Sequence, residues 1–267
     1  MKGSSSFAGG HVVLITGGTG GIGREIASRF LQCGEKVFIA GRKENLLENT
    51  VSELESASGG EVYTLKGDLS VVENCERIVK ELVSKAGRID ILVNCAGIYY
   101  EKPIGEVNEN DWDMMLDTNL KGTFFVTKYA MPYLAQSKGS VVNVGSTAGV
   151  VGFDALSAYC AAKGGLTLMT KALAAECAKY GVRVNIVSPD MVRTGMLDVG
   201  FERSGMNSRE EYDNIQLSKY PQTIEEARFL EPGDVAKTVM FLAYRELSEP
   251  ITGANIVMDF GMTSGRY

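Results

Sequence analysis

The sequence predicts a single α/β domain, a doubly wound (Rossmann) sheet of about seven parallel strands with helices on both faces. Three observations predict it. Short β-branched runs alternate with helical patterns along the chain, and several runs are apolar on successive residues, as strands covered on both faces require. The 31 glycines against six prolines stay below a low-complexity level, so they belong at specific backbone positions.

Taken in order, a strand at Val12–Ile15 leads through a glycine-rich turn into a helix at Gly21–Cys33. A strand at Lys36–Ala40, a helix at Lys43–Ser56, a strand at Glu61–Lys66 and a helix at Val71–Ala86 follow. The strand Ile89–Asn94 precedes one long helix, Asn110–Ala135, in which Asn119 is an indifferent helix former suited to binding water or kinking the backbone. A strand at Ser140–Gly145, a helix at Ser157–Lys179 and a strand at Arg183–Val187 come next. A helix at Pro232–Tyr244 and a strand at Asn255–Met258 close the pattern. The rhythm breaks once, between Asp190 and Leu230, in a stretch too long for an ordinary connection. It reads as a substrate lid at about residues 190–230 containing one or two short helices. Residues 1–10 read as a flexible leader without a secretory signature, and residues 11–267 as one domain.

Composition excludes several classes. A net charge of −6 without a basic block argues against nucleic-acid partners, and no apolar run is long enough to span a bilayer. Five cysteines without a C-x-x-C pair read as reduced thiols of a cytoplasmic protein. The single histidine, His11, precludes a multi-histidine metal site and reads as a surface or edge residue.

The segment Thr16-Gly17-Gly18-Thr19-Gly20-Gly21-Ile22-Gly23 fits two dinucleotide registers. One is G-x-G-x-x-G on Gly18, Gly20 and Gly23; the other is T-G-x-x-x-G-x-G on Thr16, Gly17, Gly21 and Gly23. Glycines let the backbone approach a pyrophosphate, and a helix start supplies free N–H groups and positive dipole. No G-K-[ST] follows, so the loop is not a P-loop. The second strand ends Gly41-Arg42-Lys43, without the carboxylate that binds a ribose 2′-hydroxyl. Arg42 and Lys43 suit a 2′-phosphate, which favours NADP(H) over NAD(H).

Tyr159 and Lys163 are four residues apart, on one helix face. A nearby ammonium would stabilise the phenolate and lower the tyrosine pKa, making Tyr159 a proton donor or acceptor at a carbonyl or alcohol oxygen. The pair alone means little; its context carries the reading. Ser146 follows the fifth strand at the sheet's carboxyl edge, and Asn94-Cys95-Ala96-Gly97 ends the fourth strand at the same edge.

In these motifs the chain resembles the short-chain dehydrogenase/reductase family, over Val12 to Gly261. Thr16-Gly17-x3-Gly21-x-Gly23 resembles its cofactor loop, with Thr19 and Ile22 inside it. Asp68 and the neighbouring Leu69 match its adenine site, and Asn94, Ala96 and Gly97 its Asn-Asn-Ala-Gly. Asn119, Ser146, Tyr159 and Lys163 fall at its catalytic tetrad, and Pro189, Val192 and Thr194 in its nicotinamide-binding segment. Cys95 replaces an Asn, Asp190 a Gly, and Asp259-Phe260-Gly261 the commoner Asp-Gly-Gly. The Asp190 replacement puts the backbone path into the lid in doubt.

The resemblance implies hydride transfer between NADP(H) and a ketone or secondary alcohol. Tyr159 would handle the proton, Lys163 tune it and hold ribose, Ser146 orient the oxygen, and Asn119 hold a relay water. It also implies a homo-oligomer, tetramer or dimer, through the helices that include Trp112, Met114 and Met115. The expected substrate is largely apolar, such as a steroid, terpenoid or other cyclic ketone. Candidate contacts are Ile98, Tyr99, Tyr100, Val151, Phe153, Met191, Met196 and Phe201. Two alternatives stand beside it: a 3-oxoacyl-thioester reductase and a non-catalytic NADP(H) sensor.

Overall fold

A computed structural model describes residues 10–218 and 228–264. The expected leader, apart from Gly10, and residues 219–227 of the expected lid lie outside them. The strands are β1 (Val12–Thr16), β2 (Lys36–Gly41), β3 (Val62–Lys66), β4 (Ile91–Asn94), β5 (Ser140–Val144), β6 (Arg183–Pro189) and β7 (Asn255–Met258). They form one parallel sheet in the order β3-β2-β1-β4-β5-β6-β7. The helices among the described residues include α1 (Gly21–Gln32), α2 (Glu44–Ser58), α3 (Val72–Ala86), α4 (Glu109–Leu116) and α5 (Gly122–Ser137). Then follow α6 (Ser157–Cys177), α7 (Gly195–Ser204), α8 (Arg209–Leu217), α9 (Pro232–Ala243) and the short α10 (Arg245–Ser248).

β1 explains why its sequence runs apolar without alternation. Val13 and Ile15 pack on one face with Ile26 and Phe30 of α1 and Val235 and Val239 of α9. Val12 and Leu14 pack on the other with Ile78 of α3, Val126 of α5 and Ala174 of α6. Successive side chains point to opposite faces, and both faces are covered. The strand order reverses direction at β1, so β1 and β4 flank the crevice where open α/β sheets bind ligands.

The long helix expected at Asn110–Ala135 is divided. α4 ends at Leu116, a π-helical turn spans Asp117–Lys121, and α5 begins at Gly122. The wider turn surrounds Asn119, whose amide bonds a neighbouring loop as described below; such bulges redirect a helix where a side chain is needed.

The expected lid contains two helices, α7 and α8, and is closed at its neck. Val192 bridges Leu230, with Leu230 N donating to Met191 O (2.9 Å) and Arg193 N to Leu230 O (2.8 Å). Leu197, Tyr212 and Phe229 form its own small core, against which Phe201, Met206 and Leu217 pack.

At the opposite end of the sheet from the crevice, Glu35 is buried among hydrogen bonds. It accepts from the N–H of Gly10 and His11, from Tyr244 OH, and pairs with His11 Nδ1 at 3.0 Å. His11 is thus half-buried and paired rather than a bare edge residue. The bond to Glu35 raises the His11 pKa despite burial. Burial pushes Glu35 up, but its hydrogen bonds from His11 and Tyr244 outweigh this and leave it lowered. Charged His11 therefore stabilises fully below its unfolded pKa of about 6.5, and that stability is lost as pH rises through the raised folded value. Ionised Glu35 stabilises above its unfolded pKa of about 4.3, and that stability is lost as pH falls through the lowered folded value. Replacing His11 by Asn should flatten the decline in thermal stability between about pH 6 and 8. Parallel wild-type and H11N melting curves across that interval would count against the assignment.

Candidate active site

Tyr159 and Lys163 lie on the buried stripe of α6, which continues through Leu166, Thr170, Ala174 and Cys177 at helical spacing. Lys163 Nζ donates to Val144 O at 2.9 Å, tying α6 to the end of β5. It lies 5.7 Å from the centre of the Tyr159 ring. Ser146 begins the turn after β5 in extended conformation and accepts from Ala148 N at 3.1 Å.

The electrostatics differ from the sequence expectation. Burial pushes Tyr159 up to about 12, and its hydrogen bond with Ser146 opposes this without reversing it. Burial likewise lowers Lys163 to about 8. The ammonium does not bring the phenol into the neutral range, because both groups are desolvated and desolvation disfavours either charge. Tyr159 is therefore held as a protonated phenol at neutral pH, the form that can donate a proton.

Asn119 forms a two-way clamp on the chain after β4. Its Oδ1 accepts from Ile98 N and its Nδ2 donates to Ile98 O, both at 3.0 Å, and Nδ2 also meets Met115 Sδ at 2.8 Å. Its side-chain amide thereby places Ile98. Asn94, expected at the cofactor, turns elsewhere. It is buried and donates to Thr127 Oγ1 (3.0 Å) and Asn143 Oδ1 (2.9 Å), while Asn143 donates to Thr170 Oγ1 (2.9 Å). This ladder joins α5, β4, β5 and α6 beneath the site.

Asn119, Ser146, Tyr159 and Lys163 all line one cavity of about 440 Å³, a size suited to a small-molecule ligand. Ile22, Gly97, Ile98, Tyr99, Phe153, Pro189, Met191, Val192, Thr194 and Met196 line it too. Val151, Tyr100 and Phe201 do not. Val151 lies in the turn after Ser146 with its carbonyl toward Cys160, Tyr100 is buried with its hydroxyl on Asp111 O, and Phe201 faces the lid's own core. The sequence reading missed Glu101, Asp154 and Met262, all of which line the cavity, and Tyr212 of the expected lid lines it too. Glu101 stands four residues beyond Gly97, close enough for the strand-end motif to have flagged it; Met262 carries no such signal.

The glycine loop adjoins this cavity along the crevice. Gly17 adopts φ +68°, and a Cβ there would stand 2.7 Å from Ala96 Cα; one on Gly23 would stand 2.3 Å from Gly17 O. Thr16 Oγ1 accepts from Cys95 N and Ala96 N (both 3.2 Å), holding the two strand ends together. α1 starts at Gly21 without a side-chain cap, leaving N–H groups and the positive end of its dipole available. These features fit a dinucleotide phosphate cradle in the register of Thr16, Gly17, Gly21 and Gly23, with Thr19 beside Gly41. Thr194 sits directly over Gly21, where an added Cβ would meet its Cγ2 at 2.8 Å.

Arg42 is exposed and 3.9 Å from Asp68, which also accepts from Ser70 N and Oγ. Lys43 is exposed as well. The side chain of Leu69 is buried with the core, leaving only its main chain for a ligand. The Asp190 replacement does not disturb the path: Asp190 N donates to Met258 O (3.0 Å), and its carboxylate accepts from Thr147 Oγ1 (2.8 Å). Phe260, at the other departure, takes φ +52°, the left-handed region where glycine is commoner.

A family model for short chain dehydrogenases matches residues 11–204. Among curated proteins, the chain is similar to a 3-oxoacyl-(acyl-carrier-protein) reductase, FabG, of Thermotoga maritima. The two are 36% identical over 255 residues, covering 95% of this chain and 98% of that one. It is 35% identical to a 2-(S)-hydroxypropyl-CoM dehydrogenase of Xanthobacter autotrophicus, over 95% of this chain and 97% of that one. Among solved structures, an actinorhodin polyketide ketoreductase variant with NADPH matches at TM-score 0.89 and 32% identity, over 96% of this chain and 98% of that one.

Proposed function

The chain belongs to the short-chain dehydrogenase family, an oxidoreductase acting on CH–OH and keto groups, and on that premise we propose an NADP(H)-dependent reductase of a largely apolar ketone. The observation that carries the reading is the meeting of Tyr159, Lys163 and Ser146 at one cavity beside the glycine cradle. When bound, the dinucleotide supplies the hydride. Tyr159 donates its phenolic proton to the substrate oxygen, and Ser146 orients that oxygen by a hydrogen bond. Lys163, fixed by Val144 O, keeps a positive charge beside the phenol while it gives up its proton. Asn119 holds the Ile98 wall against which the substrate lies. Ile98, Phe153, Met191 and Met196 make that wall apolar and adaptable, which suits a cyclic ketone such as a steroid or terpenoid.

Arg42, with Lys43 beside it, recognises the 2′-phosphate. Assay of a ketone panel with NADPH and NADH tests both parts of the proposal. Arg42→Ala should raise the KM for NADPH roughly tenfold or more and leave that for NADH nearly unchanged. Equal effects on the two cofactors, or a wild-type preference for NADH, would count against it.

A second reading, reduction of a 3-oxoacyl thioester on a carrier protein, is favoured by the likeness to the Thermotoga reductase. Relative turnover of 3-oxoacyl thioesters and cyclic ketones in the same panel separates the two. The exposed Trp112 and Met114 of α4, Phe124 of α5 and Leu168 of α6 support a homo-oligomer built on those helices. A cytoplasmic place accords with five free cysteines; among the described residues no helix is long and apolar enough to cross a membrane.

A further inference from the structure

The charged residues lining the cavity are Glu101, Asp154 and Asp190 against a single lysine, Lys163. That lysine is buried, bonded to Val144 O, and required beside Tyr159. Glu101 and Asp154 are exposed at the opening, and neither has an ion pair among the described residues. Among the residues whose side chains the structure describes, the cations that flank the lining residues along the chain are already matched. Lys102 pairs with Asp111, and Arg193 with Glu231. Arg209, at the start of α8, pairs with both Asp198 and Asp213. Among the described residues, the opening is therefore acidic without a compensating cation.

Glu101 is also held in place. Tyr99 OH donates to Glu101 Oε1, and the Tyr99 ring meets Tyr159 edge-on, with centroids 5.2 Å apart and planes at 87°. One aromatic side chain thus separates this carboxylate from the phenol that handles the proton. Tyr99, Glu101 and Tyr159 line the same cavity, so a substrate whose carbonyl reaches Tyr159 lies in the neighbourhood of that pair.

We propose that the cavity selects neutral or cationic ketones against anionic ones, and that Glu101, reinforced by Asp154, is the residue pair that sets this specificity. The inference rests on the reductase reading above. An anionic substrate entering here gives up water and faces like charge in a partly desolvated space, where repulsion is stronger than in bulk solvent. A carrier-borne thioester, which requires cations to meet its acidic carrier, is disfavoured for the same reason.

The test uses two ketones of one skeleton, 4-oxocyclohexanecarboxylate and its methyl ester, at pH 7 with NADPH and the full-length protein. The expected kcat/KM is roughly tenfold or more higher for the ester. The ratio should shrink toward unity in the Glu101→Gln, Asp154→Asn double variant, which removes both charges while the amide oxygen at position 101 still accepts from Tyr99. It should also narrow at high ionic strength, as charge repulsion at an exposed rim does. An acid reduced as well as its ester, or a ratio that the double variant leaves unchanged, overturns the proposal. If neither ketone is turned over, the wider ketone panel decides the reductase reading, and calorimetric binding of the two compounds to the NADP⁺-loaded protein decides the charge selectivity separately. Tighter binding of the ester supports it, and equal or weaker binding overturns it.

Discussion

Tyr159→Phe should lower kcat for ketone reduction by about 10³-fold while NADPH affinity stays within a few-fold of wild type. The substitution removes one O–H and little else. The ring keeps its place on the buried stripe of α6 and its edge contact with Tyr99. A 10³-fold loss corresponds to about 4 kcal/mol of transition-state stabilisation, a magnitude expected for a proton delivered in the transition state rather than for lost packing. Fluorescence titration with NADPH and turnover at saturating ketone measure the two quantities separately. Near-normal turnover would remove Tyr159 from the chemistry; loss of both binding and turnover would point to a collapsed site.

Arg183→Met should destabilise the fold by about 3 kcal/mol. Arg183 opens β6 and is buried, although nothing in its sequence context distinguishes it from an edge charge. Its guanidinium donates to Leu242 O (2.7 Å), Ser248 O (3.3 Å) and Ser248 Oγ (2.9 Å) through Nη1, and to Ala243 O (2.9 Å) through Nη2. Those carbonyls belong to the ends of α9 and α10, where a helix leaves acceptors without partners and carries partial negative charge. Burial, with Arg245 nearby, lowers the guanidinium pKa to about 10, so it remains charged at neutral pH. Methionine replaces the stem's apolar bulk but supplies no donor, so Ala243 O loses its guanidinium bond, while Leu242 O keeps only weaker bonds from Ser140 Oγ and Ser248 Oγ and Ser248 O only that from Ile251 N. Urea denaturation of the two proteins measures the difference, and a change below about 0.5 kcal/mol would show that water or relaxation satisfies those carbonyls.

Much of the fold was legible because its signals are local. The seven strands are found within about two residues of the apolar runs that predict them, and the parallel order follows from their alternation with helices. The division of the fourth long helix was half-legible: Asn119 stood out as a poor helix former, but only its bonds to Ile98 and Met115 explain a π-helical turn rather than a kink. The glycine loop was legible to the residue, since its two candidate registers differ in which glycines approach other backbone. Gly23 belongs to both, so it is Gly17, at φ +68° with a Cβ position 2.7 Å from Ala96 Cα, that favours the second.

The candidate site divides along the same line. Sequence by itself determined the family, the sheet and the association of Tyr159, Lys163 and Ser146, because helical spacing and strand ends fix where such residues emerge. Tertiary structure decided which way side chains point. It turned Asn94 into a buried ladder, Asn119 into a clamp and Phe201 into the lid's core, and it brought Glu101, Asp154 and Tyr212 to the cavity wall. It also reversed the expected direction for Tyr159. Spacing tells that an ammonium is near a phenol, but the balance between that charge and lost hydration depends on how completely both are buried. Burial is a property of the packed chain, assembled from residues far apart in sequence, and no local pattern carries it.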